Sequence, residues 1–274
     1  MLDLMLYPFL ACLVLVAMHS YLGLHVIARE VIFVDLSLAQ MAALGTTTGL
    51  LLGFAPDSKL AYAMALLFTT VGAGLFAMTR SERKGRVPQE AIIGIVYVVA
   101  SAATLLVADK APRGAEAVKD LLVGSILWVT PGTIIRLAVA YASLGLFHYA
   151  LRHKFLTASF HPERALQEGV RIRWWDFWFY LSFGIVITLS VPVAGVLLVF
   201  SFLVVPAVIA FLFTENWRGL TIISWLSGCL ASAAGLVLSY VYDLPTGPLI
   251  VVTFGALLGL AAALRALGVG RRAA

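Results

Sequence analysis

Charged residues and cysteine are scarce in this chain. Of its 274 residues, 12% are charged, two are cysteine and 62% are hydrophobic. Soluble domains carry about 25% charged and about 45–50% apolar residues, so this composition excludes an ordinary soluble protein and predicts a polytopic membrane protein. The net charge of +5 is explained by basic residues in the cytoplasmic loops of such a protein, and it does not indicate nucleic-acid binding.

Several catalytic motifs are also missing. The sequence contains no G-x-x-x-x-G-K-[ST] nucleotide-binding loop and no H-E-x-x-H zinc motif. If ATP drives this protein, a separate chain must therefore hydrolyse it, and we expect a non-enzymatic membrane component with no tightly bound cofactor. Cys12 and Cys229 both fall within apolar runs, where small packing residues are the simpler interpretation.

Long apolar runs predict an all-α helical bundle of about eight or nine transmembrane helices, forming a single domain over residues 1–274. A span needs about 20 apolar residues. We place spans at residues 5–27, 32–54, 60–79, 90–108, 132–151, 174–190, 192–213, 219–242 and 247–267.

Three clusters of basic residues set the predicted orientation, because cytoplasmic loops are enriched in Lys and Arg. They are the loop holding Arg80, Arg83, Lys84 and Arg86, the loop 152–173, and Arg271 with Arg272. Counting back through nine spans predicts an extracellular N-terminus and a cytoplasmic C-terminus.

Polar residues interrupt the second apolar run, at Asp35, Ser37 and Gln40. A charged carboxylate at the centre of a membrane costs about 2.5–3.5 kcal/mol, so Asp35 either serves a function or lies near the end of its span. It could line a substrate path, cap the helix, or do both. Ser37 and Gln40 share a helix face, whereas Asp35 and Gln40 diverge by about 140°.

Small residues and a proline suggest where helices approach or bend. Gly45, Gly49 and Gly53 recur every four residues, which predicts a stripe against which a neighbouring helix packs closely. Pro206 lies within an apolar run and predicts a kink. That kink would suit either a gate or a static bundle.

Histidine and aromatic residues lie near predicted span ends. His19 and His25 could bind a ligand, relay protons or simply pack, since an intramembrane histidine is a functional candidate. The aromatic segment at 174–180 reads as an anchoring belt at the cytoplasmic interface.

A short helix is predicted at 161–169. Pro162 is favoured in the first turn of a helix, and the negative charge of Glu163 is favoured by the helix dipole at the N-terminus. Gly169 is typical of a helix end. Such a helix between two spans could dock in a groove of a cytoplasmic partner. An ordinary solvated loop is the alternative.

Four stretches resemble the membrane subunits of ABC importers for zinc, manganese and iron, the ABC-3 family. LGLHVIAREVIFVDLSLAQMAALG resembles the second-span signature, and HPERALQEGV the cytoplasmic coupling helix. GVLLVFSFLVVPAVIA resembles the proline-containing core span, and SYVYDLPTGPLIVV the last turn between helices. The resemblance runs in order through nearly the whole chain.

The resemblance implies a permease in the cell inner membrane that acts as a homodimer. It also implies cytoplasmic ATP-binding subunits, an external or periplasmic substrate-binding protein and alternating access driven by ATP. The residues implied in ATPase coupling are His161, Pro162, Glu163, Ala165, Glu168 and Gly169.

The chain departs from the family's metal motif, which carries an Asp and a His four residues apart on the second span. Leu36 and Gln40 occupy those positions here. An amide is a poor zinc ligand. Asp35 and His25 are the metal-ligand candidates that remain, with Ser37, Gln40 and His19 along the predicted path.

The sequence therefore predicts the permease of an ABC importer for a divalent metal ion or metal complex, which it would bind only transiently. An ion- or proton-coupled carrier acting without an ATPase is the alternative, although no internal repeat supports it. An intramembrane enzyme would need a clustered catalytic set, which the sparse polar residues do not provide.

Overall fold

A computed structural model of the protein describes residues 2–55, 58–80, 87–111 and 114–268. The predicted cytoplasmic residues Arg83, Lys84, Arg86, Arg271 and Arg272 lie outside these ranges.

The described residues form helices and no strand. The predicted all-α class is confirmed. The helices are α1 (Leu2–Ala28), α2 (Val34–Leu51), α3 (Lys59–Thr79), α4 (Gln89–Lys110), α5 (Gly114–Val123), α6 (Pro131–Ala150), α7 (Arg152–Phe160), α8 (Pro162–Gln167), α9 (Ile172–Ala194), α10 (Val196–Phe213), α11 (Trp217–Tyr242) and α12 (Thr246–Ala266). A short 3₁₀ turn, Ile126–Trp128, precedes α6.

Eight of these helices are long and apolar enough to cross a membrane, namely α1, α3, α4, α6, α9, α10, α11 and α12. The exception among the nine predicted spans is α2, which has 18 residues and includes Asp35, Gln40 and three threonines. The prediction of about eight or nine spans is therefore confirmed at eight. The helix that carries Asp35, Ser37 and Gln40 is the least apolar of the nine predicted spans.

The chain divides into two compact units. Unit A comprises residues 1–27, 123–141 and 193–274, and unit B comprises residues 28–122 and 142–192. The single permease domain over 1–274 stays a prediction.

In unit A, α10, α11 and α12 pack against one another. Pro206 lies inside α10 and has no N–H to offer the carbonyl of Phe202, four residues earlier. The Ser20 hydroxyl of α1 donates to that carbonyl at 3.4 Å. The Ser224 hydroxyl of α11 donates to the Pro206 carbonyl at 3.2 Å. Side chains of two neighbouring helices therefore bond to α10 around its proline.

In unit B, α2 packs between α3 and α4. A Cβ added at Gly45 would lie 2.5 Å from the backbone oxygen of Met64 on α3, so the two backbones meet where only glycine fits. Gly49 lies farther from α3, at ordinary contact distance.

Gly53 does not belong to the predicted glycine stripe. The helix ends at Leu51, Gly53 adopts φ +86°, and a Cβ there would meet no atom within 4 Å. Gly53 therefore serves the turn after α2, because the left-handed conformation favours glycine.

Candidate functional site

Asp35 lies in the first turn of α2 and is 2% exposed. Phe33 occupies the N-cap position, and no side chain of the described residues caps the helix. Asp35 is therefore not the N-cap residue that the sequence suggested as one option. Its Oδ1 atom is buried and has no hydrogen-bond partner among the described residues. A buried carboxylate oxygen without a partner is costly, which makes this atom a candidate ligand.

Ser37 and Gln40 follow on another face of α2. Ser37 is fully buried, and its hydroxyl also lacks a hydrogen-bond partner within the described ranges. Gln40 is half-buried. Because α2 is a continuous helix over Val34–Leu51, Ser37 and Gln40 share a face and Asp35 points away from them. The three residues therefore offer oxygen atoms around α2 rather than one closed ligand set.

Glu90 is a further acidic residue beside α2 that the sequence analysis missed. It lies in the first turn of α4, and its Oε1 accepts a hydrogen bond from the Phe33 N–H at 2.9 Å. Its Oε2 is buried without a partner in the described part of the chain. Phe33 lies two residues before Asp35, so its hydrogen bond to Oε1 places the Glu90 carboxylate near the start of α2. In the sequence, Glu90 stands at the start of an apolar run. That position could have marked it as a candidate, but an acidic residue there is also typical of one that stabilises a helix N-terminus.

His19 and His25 belong to unit A, whereas Asp35, Ser37 and Gln40 belong to unit B. Both histidines are fully buried. The Nδ1 atom of His19 lies 2.8 Å from the Leu15 carbonyl, and its ring meets the edge of Tyr141. His25 packs against the rings of Tyr21 and Trp217. These contacts describe two histidines held in a packed environment.

Among the described residues, no group of three or more His, Cys, Asp and Glu side chains is placed to hold a metal ion. A permanently bound metal would need such a set.

The short helix predicted at 161–169 is α8, with Pro162 in its first turn and Gly169 in the left-handed conformation after its end. His161 occupies the N-cap position. Arg164 donates to Glu168 across one turn at 2.8 Å. All residues from 161 to 169 are exposed except Ala165. Nearly the whole helix is therefore available to a partner.

Ala165 fastens α8 to its own unit. It is fully buried in a small apolar cluster with Val170, Ile172 and Trp175. Val170 also donates its N–H to the Ala165 carbonyl at 2.9 Å. A bulky residue at 165 would displace α8 itself, whereas substitutions at Glu163 would act on the exposed surface.

The aromatic segment 174–180 is only partly an exposed belt. Trp174 is 55% exposed, but Asp176, Phe179 and Tyr180 are fully buried. Asp176 bonds to two arginines there, which the sequence analysis missed. Burial lowers the pKa of one of them, Arg29, although the Asp176 carboxylate opposes that change.

The sequence matches the family model described as the ABC 3 transport family over residues 1–265. The chain belongs to this family. The suspected resemblance is confirmed, and with it the prediction of a transmembrane transport protein of the ABC type.

Named relatives agree with that membership. The ABC 3 family chain is 30% identical to the "Manganese transport system membrane protein MntB" of Synechocystis over 204 residues, which cover 72% of this chain and 66% of that protein. It thus spans just under two thirds of that relative. It is 24% identical to the "Probable iron transport system membrane protein" of Haemophilus influenzae over 212 residues, covering 76% and 74%.

The fold is similar to a solved structure described as "PsaBC from Streptococcus pneumoniae in complex with Fab". The TM-score is 0.78 at 18% identity, and the match covers 94% of this chain and 90% of that one. At this identity the likeness is one of fold.

Proposed function

We propose that this ABC 3 family member is the permease subunit of an ATP-driven importer for a divalent metal ion. Two copies would form the membrane pore in the cytoplasmic membrane, ATP-binding subunits would dock on α8, and an external binding protein would deliver the ion. ATP binding would switch the permease between outward- and inward-open states, provided that the partners bind the two states with different affinity.

The observation that carries the proposal is the set of buried oxygen atoms around α2. Asp35 Oδ1, Ser37 Oγ and Glu90 Oε2 are buried without a hydrogen-bond partner among the described residues. In a membrane protein, such polar groups mark substrate and ion pathways.

The chemistry of these donors favours manganese over zinc. Carboxylate, hydroxyl and amide oxygens suit Mn²⁺, whereas Zn²⁺ prefers nitrogen and sulfur ligands. The presence of Gln40 in place of the family's histidine points the same way. Two of the relatives' names mention manganese and iron. We therefore infer Mn²⁺ as the preferred cargo, with Asp35, Ser37 and Gln40 along its path and Glu90 beside Asp35.

The exposed surface of α8 supports the docking assignment. Ala165 anchors the helix through its buried apolar contacts. The exposed residues that remain available to a partner are His161, Pro162, Glu163, Glu168 and Gly169. In this proposal His19 and His25 have a secondary role along the path, and Pro206, which lies inside α10, would serve as the gate.

The test uses the whole complex in proteoliposomes. This chain should co-purify with an ATP-binding subunit, and Mn²⁺ uptake should require ATP. Zn²⁺ should compete with Mn²⁺ poorly. Mn²⁺ uptake driven by an ion gradient without any ATPase would contradict the proposal and support the carrier alternative, which family membership does not favour.

A further inference from the structure

A buried ionic cluster, here called the Asp176 cluster, comprises Asp176, Arg29 and Arg80 in unit B. Asp176 Oδ1 accepts from Arg29 Nη1 at 2.6 Å and from Arg80 Nη1 at 2.8 Å. The second oxygen, Oδ2, also accepts from Arg80 Nη1 at 2.8 Å. The side chains of Arg29 and Asp176 are fully buried, and that of Arg80 is 13% exposed.

The cluster joins the ends of several helices. Arg29 directly follows α1, Arg80 directly follows α3, and Asp176 lies in the second turn of α9. The Arg29 guanidinium also lies 3.9 Å from the ring centre of Phe179. Buried ion pairs with such geometry hold their elements in one register, because a separated charge would be left unpaired.

The helices α3 and α9, to which the cluster binds, also bond to α4. Gln89, at the first position of α4, donates to the Tyr180 hydroxyl at 3.2 Å and to the Phe76 carbonyl at 3.1 Å. Tyr180 lies one turn beyond Asp176 on α9. The starts of α4 and α9 and the end of α3 are therefore tied together by side-chain hydrogen bonds.

The segment before α8 bonds to the cluster, and the helix after α8 carries Asp176. On the preceding side, at the end of α7, the Ser159 hydroxyl accepts from Arg29 Nε at 2.8 Å. The neighbouring Ala158 carbonyl accepts from Arg80 Nη2 at 3.3 Å. On the following side, Ile172 and Trp175 pack with Ala165 of α8 within one turn of Asp176. α8 is therefore joined to the two arginines through the end of α7 on one side, and packs on the first turn of α9, the helix that carries Asp176, on the other.

Arg29 lies six residues before Asp35, and the turn between them is tight. Glu30 adopts φ +57°, and the Val34 N–H donates to the Val31 carbonyl. A short, fixed turn transmits displacement better than a long loop, since few torsions can absorb it. Arg29 is thus connected to the start of α2, where Asp35 Oδ1 lacks a partner among the residues that the structure describes.

We propose that Asp176 is a positioning residue that couples α8 to the α2 path through Arg29 and Arg80. This inference rests on the proposed function, because it takes α8 as the ATPase dock. Coupling of this kind is carried by rigid elements joined through discrete contacts. Asp176 touches no ion in this scheme, and its effect is exerted through the helix ends that it binds.

The test measures Mn²⁺ uptake per ATP hydrolysed in proteoliposomes that contain the complete complex. Arg80→Gln should lower this ratio about tenfold, within the range of measured allosteric couplings, while ATP hydrolysis and co-purification of the ATPase are retained. Arg80→Lys keeps the charge and should retain most of the ratio. Asp109→Asn is the matched control, because Asp109 is 70% exposed and pairs only with Lys110 in the described structure.

Asp176→Asn leaves two buried arginines without a counter-charge and destabilises the chain, so a loss of uptake in this variant would not separate coupling from stability. The triple variant Arg29→Met, Arg80→Met, Asp176→Leu removes all three charges and keeps apolar packing, so it should assemble. It should hydrolyse ATP with the same roughly tenfold loss of uptake per ATP.

A wild-type ratio in the folded triple variant would overturn the inference and leave a purely structural role. In that case the proposed function would stand, since wild-type uptake would still depend on ATP. A wild-type complex without ATP-driven uptake would instead overturn the proposed function and this inference with it.

Discussion

Asp35 and Asp176 are both buried aspartates of unit B, yet their surroundings are opposite. Asp176 uses both carboxylate oxygens to bind two arginines. Asp35 keeps Oδ1 without a partner among the described residues, and the nearby acidic residue Glu90 bonds to the backbone of Phe33, two residues before Asp35. A buried carboxylate with all its hydrogen bonds made holds helices together. A buried carboxylate oxygen without a partner destabilises the fold unless a bound ligand supplies the missing interaction. The contrast matches the two roles proposed above, a structural and coupling role for Asp176 and a binding role for Asp35.

Removing the charge at Asp176 should have the largest effect on stability. Asp176→Asn leaves Arg29 buried and unpaired, and breaking a buried pair costs about 3–5 kcal/mol. Thermal unfolding of the detergent-solubilised chain should therefore show a large drop in Tm. An unchanged Tm would mean that the Asp176 cluster does not hold its helices together.

Removing the charge at Asp35 should have the opposite effect and stabilise the folded chain. Asp35→Asn relieves a buried carboxylate that lacks a full set of partners, so the free energy of unfolding should rise by about 1 kcal/mol. The same thermal measurement checks this result. A fall comparable to that of Asp176→Asn would show that Asp35 is bonded in the folded chain, and would erase the distinction between the two aspartates.

Glu90→Gln should change stability by less than about 0.5 kcal/mol, because the amide oxygen can still accept from the Phe33 N–H. Mn²⁺ uptake should fall, since one negative charge beside Asp35 is lost. Glu90→Ala is the control for the hydrogen bond and should cost about 1 kcal/mol. Full uptake in Glu90→Gln would remove Glu90 from the proposed path.

Ser37→Ala should have the smallest effect, a gain of roughly 0.5 kcal/mol, because the buried hydroxyl has no partner to lose within the described part of the chain. The matched control is Ser190→Ala. The Ser190 hydroxyl donates to the Val186 carbonyl at 2.9 Å, so its removal should destabilise. Equal losses for both variants would indicate that Ser37 is bonded after all.

Hydropathy and local turn chemistry predicted most of the fold. Long apolar runs located the spans, and Pro162 with Gly169 located α8, because these signals depend on neighbouring residues alone. The one helix that hydropathy describes poorly is α2, where Asp35 and Gln40 interrupt the apolar run. Gly53 was wrongly included in the glycine stripe because its four-residue spacing continues past the end of the helix, and the sequence did not show where the helix ends.

The Asp176 cluster could not be predicted from local pattern. Arg29 and Arg80 lie 147 and 96 residues from Asp176. A carboxylate among aromatics looked like part of an interfacial belt, since nothing nearby in sequence signals its partners. Glu90 was missed for a similar reason, because its significance depends on the start of α2 lying beside it.

The most direct measurement is ATP-driven Mn²⁺ uptake by proteoliposomes that hold the complete complex, with wild-type chain or Asp35→Asn at matched ATP hydrolysis. The account predicts uptake by the wild type and a loss of at least about tenfold in Asp35→Asn, equivalent to about 1.4 kcal/mol or more. Equal uptake by the two complexes would contradict the claim that the ion passes the buried oxygens of α2.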